Sequence, residues 1–127
     1  MITGVSHITI FVHNQDEALA FYTQKMGFDV HTDAMFGTER WLTICPKTNR
    51  NLEITLVQAT DKNNHLVGKQ AGELPFLSFS TDDCHKTYQE LSSKGVEFTQ
   101  KPVTEPWGVS AMFKDLYGNI FYLNQPA

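Results

Sequence analysis

Gly4-Val5-Ser6-His7-Ile8-Thr9-Ile10-Phe11-Val12, followed by Asn14-Gln15-Asp16-Glu17-Ala18-Leu19-Ala20-Phe21-Tyr22, is the stretch on which the fold turns. Val5, His7, Thr9 and Phe11 alternate with Ile8, Ile10 and Val12, the two-residue period of a strand. Asn14 is a good helix N-cap, and Glu17 three residues later adds a capping-box variant. Ala18, Leu19, Tyr22 and Met26 then recur at helical spacing, and Gly27 stands where a left-handed C-cap is wanted. A strand thus passes straight into a helix, with one histidine set among apolar and β-branched neighbours.

Working outward, Phe28-Asp29-Val30 resumes as a strand, and Thr32 to Thr38 reads as a loop. Arg40 to Ile44 is the next strand, Lys47 to Asn51 is turn material, and Leu52 to Val57 is a fourth strand. Gln58 to Leu74 is polar, carries Gly68 and Gly72, and has no clear period, so it reads as an internal linker. The pattern then restarts. Phe76 to Ser80 is a strand, and Thr81-Asp82-Asp83 offers caps for a helix carrying Cys84, Tyr88 and Leu91. Val96-Glu97-Phe98 is a strand, Lys101 to Gly108 a loop with Pro102 and Pro106, and Val109 to Phe113 and Ile120 to Leu123 close the chain as strands. Leu19 and Tyr88, like Tyr22 and Leu91, stand 69 residues apart, so the two halves repeat one βαβββ pattern.

The fold expected is therefore α+β, with two tandem βαβββ modules forming curved mixed sheets around a central cleft. Module one covers about 4–58, the linker about 59–74 and module two about 75–125 of one 1–127 domain. Each sheet has a helix on one face, so its other face lines the cleft, where ligand sites commonly form. His7 and Glu53 lie on strand faces opposite the purely aliphatic ones. With the aliphatic faces under the helices, both polar side chains point into that cleft.

Composition narrows the partners. The 127 residues carry a net charge of −4, which leaves no basic footprint for nucleic acid or an anionic membrane. No apolar run approaches the ~18 residues a spanning helix needs. Met1 to Gly4 has no basic segment leading into an apolar run, so a secretory signal is not read. Cys45 and Cys84 lack CxxC spacing and read as reduced thiols. The expectation is a cytoplasmic protein.

The opening Val5-Ser6-His7-Ile8-Thr9-Ile10 with Ala18 to Tyr22 and Met26-Gly27-Phe28, then Gly95 to Phe98, Pro106-Trp107-Gly108 and Phe113 to Asn119, resembles the vicinal-oxygen-chelate superfamily. That superfamily groups glyoxalase I, extradiol dioxygenases, and fosfomycin- and bleomycin-resistance proteins. The resemblance implies the fold more specifically than an activity. In its metal-dependent members, ligands come from the first and last strands of each half. Carried over by position, these sites are His7 and Glu53, then Phe76 and Tyr122, each 69 residues on. Only the first pair is of ligand type. A catalytic ion usually takes at least three protein ligands, so a full glyoxalase or dioxygenase site is not implied. The resemblance also implies a homodimer.

Each candidate has a plainer structural reading beside the functional one. His7 alone in a strand is more often packed than metal-bound, but Glu53 as counterpart makes both metal candidates. Glu53 either faces solvent on an alternating strand or serves as a general base in a dry cleft. Trp41, Phe76, Trp107 and Tyr122 read singly as core residues and together as an aromatic-walled cavity, with Thr55 and Ser78 supplying orienting hydrogen bonds. His13, His31, His65 and His85 fall at loop or helix-surface positions and read as solvated. Cys84 begins a helix, yet Asp82 and Asp83 oppose an activated thiol.

Two functions follow. One is a divalent-metal-assisted lyase- or isomerase-type enzyme using His7 and Glu53. The other is a metal-free protein that binds or sequesters an aromatic or antibiotic-like small molecule.

Overall fold

The protein is described by a computed structural model covering residues 1–127. Its elements run β1 (His7–Val12), α1 (Gln15–Ala20), β2 (Asp29–Phe36), β3 (Glu39–Cys45), β4 (Glu53–Gln58), β5 (Leu77–Ser80), α2 (Cys84–Ser93), β6 (Phe98–Glu105), β7 (Gly108–Lys114) and β8 (Ile120–Pro126). The chain forms two compact units, Met1–Val67 and Gly68–Ala127. Each holds a four-stranded mixed sheet, ordered β1-β4-β3-β2 in the first and β5-β8-β7-β6 in the second. In both, the first and last strands pair in parallel and the others antiparallel. The α+β class and the twice-used βαβββ module are the observed architecture.

In the first unit, Asn14 caps α1 by accepting a 2.8 Å hydrogen bond from the Glu17 N–H. A single π turn, Phe21–Lys25, extends the helix, and Gly27 then reverses the chain at φ +73°. Ile10, Val12, Leu42, Ile44, Ile54 and Leu56 are all buried, as are Ala18 and Tyr22 of the helical segment. These alternate strand residues form the aliphatic core, whose burial from water is the main favourable term in folding the unit. In the second unit the corresponding core is aromatic. Phe113 and Phe121 are buried, Phe79 meets Phe121 edge-on at 5.0 Å, and Tyr88 of α2 meets Phe98 at 4.7 Å.

Two segments expected as loops are strands. Thr32 to Phe36 belongs to β2, which pairs with β3 across the tight Gly37-Thr38 turn. Lys101 to Glu105 belongs to β6, despite Pro102. Both β2 and β6 are edge strands, where polar side chains are solvated and a missing N–H is tolerated. β2 carries one register shift, between Val30 and Thr32, and β6 two, between Phe98 and Gln100 and between Gln100 and Val103. These shifts break the alternation by which a strand is recognised. Gly108 opens β7 at φ +144°. A Cβ there would run into the carbonyl of Gln125 on β8, so only glycine permits this pairing.

Candidate functional site

The face of the first sheet that carries His7 is ordered in rows set by strand register. His7 pairs with Glu53 across β1 and β4. In the next row Thr9, Thr55, Thr43 and Thr32 cross all four strands. Beyond it Phe11 pairs with Val57, and Trp41 with Ala34. Two residues separate successive rows, about 7 Å along a strand. The face therefore grades from an imidazole–carboxylate end, through hydroxyls, to an aromatic and aliphatic end.

At the polar end, His7 Nε2 lies 3.1 Å from Glu53 Oε2, and His31 Nδ1 lies 3.0 Å from Glu53 Oε1. The Thr43 hydroxyl donates to the same Oε1 at 2.8 Å. A carboxylate only accepts, so these partners assign the proton to Nε2 of His7 and to Nδ1 of His31. His7 Nδ1 is then left to accept from the Ser6 hydroxyl at 2.9 Å. The His7 ring also tilts against Trp41, with centroids 5.8 Å apart.

His31 corrects the sequence reading. It is half-buried and bonded rather than solvated, because the bulge in β2 inserts it as an extra residue and re-aims its side chain. A bulge leaves no mark in the sequence. Thr43 had a signal, since it alternates with Trp41 on the same strand.

At the apolar end a cavity of about 520 Å³ opens, lined by Trp41, Phe36, Val57, Thr55, Gln15 and Gln58 together with Arg40 and Glu39. Gln15 is tied by its amide to the carbonyls of Leu56 and Arg40. Thr55 is 4% exposed, and its hydroxyl oxygen is buried with no hydrogen-bond partner. Arg40 is held between two carboxylates, with Nε and Nη2 each 2.9 Å from Asp33 and Nη1 2.7 Å from Asp16. The hydrogen bond from Arg40, helped by its charge, holds the Asp33 carboxyl below its ordinary value, and the same bond raises the Arg40 guanidinium. No free cation is left at the cavity.

The second unit's candidates are arranged differently. Tyr122 lies opposite Ser78 on β5, and its hydroxyl donates to Ser110 at 3.4 Å. Phe76 stands just before β5, and its N–H donates to the Ile120 carbonyl at 2.7 Å. A constant 69-residue offset makes Phe76 the partner of Tyr122, whereas the register makes it Ser78. The strand pairing is shifted by two residues relative to the first half. Trp107 is 66% exposed in the turn between β6 and β7.

The sequence profile described as the Glyoxalase/Bleomycin resistance protein/Dioxygenase superfamily matches residues 4–123. The chain belongs to that superfamily. Among solved structures, UcmS2 superposes with a TM-score of 0.87 at 37% identity over 98% of both chains. TnmS3, described as an antibiotic binding protein from Streptomyces sp. CB03234, superposes at 0.83 with 32% identity, over 99% of this chain and 98% of its own. YurT of Bacillus subtilis (strain 168) is 35% identical over 124 residues, covering 92% of this chain and 94% of its own.

The superfamily's metal-dependent members imply a divalent cation, and the residues present do not fit one. His7, His31 and Glu53 come together only as a mutually hydrogen-bonded cluster and do not form a group that could hold an ion. Both Glu53 oxygens are already engaged. Phe76 has no donor atom in its side chain. No helix of the chain is long and apolar enough to cross a membrane.

Proposed function

We propose that the protein binds a small, largely aromatic organic molecule without a metal ion, and acts by sequestering it rather than transforming it. The cavity beside Trp41 carries this reading. Its volume of about 520 Å³ falls within the range of pockets that enclose drug-sized ligands. Trp41, Phe36 and Val57 offer an apolar wall on which a planar ring gains dispersion and desolvation energy. The description of TnmS3 as an antibiotic binding protein supports the same class of function. In this reading the His7–Glu53–His31 cluster is a hydrogen-bonded brace for the face, not a metal centre. The protein is further proposed to be a cytoplasmic homodimer, which light scattering on the purified chain checks.

The test is a titration with bleomycin and a panel of naphthols and flavones, read by tryptophan fluorescence and melting temperature. The expected result is quenching and stabilisation for at least one compound, unchanged by EDTA. Binding that disappears on chelation would favour the metal-assisted enzyme. No response to any compound would remove the reading altogether.

A further inference from the structure

Thr55 is the one residue whose buried side-chain oxygen lacks a partner. Leaving a buried hydroxyl unpaired costs about 1–3 kcal/mol, and such groups in native proteins call for an explanation. The neighbouring hydroxyls have one: Thr43 donates to Glu53, and the Thr32 oxygen accepts a share of the His31 Nδ1–H at 2.9 Å. Thr55 differs from them by lining the cavity. A staggered rotation about χ1 exchanges its methyl and hydroxyl groups, so the oxygen can be presented to an occupant. Resting on the proposed aromatic-binding function, we infer that Thr55 is the specificity-determining residue of this cavity. Its ligand is an uncharged aromatic molecule carrying a hydroxyl or carbonyl group, which hydrogen-bonds the Thr55 hydroxyl.

The charge state follows from what surrounds the cavity. Arg40 is committed to Asp16 and Asp33, and the other ionisable lining residue, Glu39, is acidic. An anion entering there meets no counter-charge, and a neutral hydroxyl cannot compensate a buried ion. Geometry sets the shape. Thr55 lies one row from Trp41 and Val57, about 7 Å along the strands. With the rings over the apolar row, the polar substituent therefore sits at the far edge of a two-ring system.

Three probes separate these contributions: naphthalene, 2-naphthol and 2-naphthoate, titrated against wild type, Thr55→Val and Thr55→Ser. Binding is followed by the Trp41 indole N–H resonance. An apolar cavity alone favours naphthalene, the least polar of the three. A paired hydroxyl reverses that order, with 2-naphthol bound about tenfold tighter, the effect of one net hydrogen bond, and 2-naphthoate bound least. Thr55→Val is expected to abolish the preference, with an unchanged circular dichroism spectrum reporting an intact fold, and Thr55→Ser to restore it. A preference that survives Thr55→Val overturns the assignment, as does naphthoate binding as tightly as naphthol. If wild type binds naphthalene and 2-naphthol equally, only the Thr55 role fails. If it binds none of the three, the aromatic-binding reading fails with it.

Discussion

His31 Nδ1 stands 3.0 Å from one oxygen of Glu53 while His7 Nε2 stands 3.1 Å from the other. One carboxylate thus orients two imidazoles through opposite ring nitrogens, and links β2 to β4 through side chains alone. His31 belongs to an edge strand that is not a sheet neighbour of β4. The bulge in β2 is what lets it reach across.

Glu53→Gln keeps the shape of the side chain and removes its charge. Hydrogen bonds to a charged group contribute about 1.5–3 kcal/mol each, so the variant is expected to lose about 2 kcal/mol of stability in urea denaturation. His31 is also expected to lose its Nδ1–H tautomer in nitrogen NMR spectra. Unchanged stability together with an unchanged tautomer would show that the carboxylate does not brace the face.

The two tryptophans are expected to behave differently. Trp41→Ala removes the aromatic wall of the cavity and should weaken aromatic ligands at least tenfold, a loss of about 1.4 kcal/mol or more. Trp107 is exposed and is not among the residues lining the cavity, so Trp107→Ala should leave affinity unchanged. Equal losses in both variants would remove Trp41 from the site.

Acid should act through Asp33. The hydrogen bond from Arg40 holds its carboxyl below the ordinary 3.8. A depressed carboxyl contributes stability that is present above pH 3.8 and is lost as pH falls through the lower folded value. Asp33→Asn is therefore expected to be less stable than wild type at neutral pH, and to lose less stability than wild type below pH 4. Parallel pH–stability curves for the two proteins would contradict this.

Cys84 should be inert. Burial, then the charge of Asp83, pushes its thiol above the ordinary 9.0. Native protein at pH 8 is expected to resist iodoacetamide at both Cys84 and Cys45, which are buried, and to react at both when unfolded. As pH passes 9.0 the unfolded chain ionises first, so this contribution to stability falls. Rapid alkylation of the native protein would refute the assignment.

Gly108→Ala combines a positive φ with a clash against the Gln125 carbonyl. The expected cost is about 3 kcal/mol, roughly 10 °C in melting temperature. A loss below about 2 °C would mean that β7 and β8 readjust freely.

The architecture was legible because its signals are local and periodic. Alternation over Val5–Val12, the Asn14 cap and the spacing through Met26 each report one element, and their recurrence after Leu74 reports the second module. Membership of the superfamily follows from the same residues. The site was legible only in part. The two-residue period of a strand sets His7, and Glu53 with Thr55, opposite the aliphatic residues of their own strands.

What tertiary structure alone decided depends on register, which is set by pairing between strands far apart in sequence. Register makes Ser78 and not Phe76 the partner of Tyr122. A bulge turns His31 from an apparent loop residue into the second imidazole on Glu53. Packing leaves the Thr55 hydroxyl buried and unpaired. The opening stretch and Leu52–Val57 therefore offered a histidine and a carboxylate on strands of one βαβββ sheet, and register made them neighbours. Whether that carboxylate was free for a metal or already held by its neighbours was decided by the fold, because hydrogen bonds saturate and a sequence does not count them.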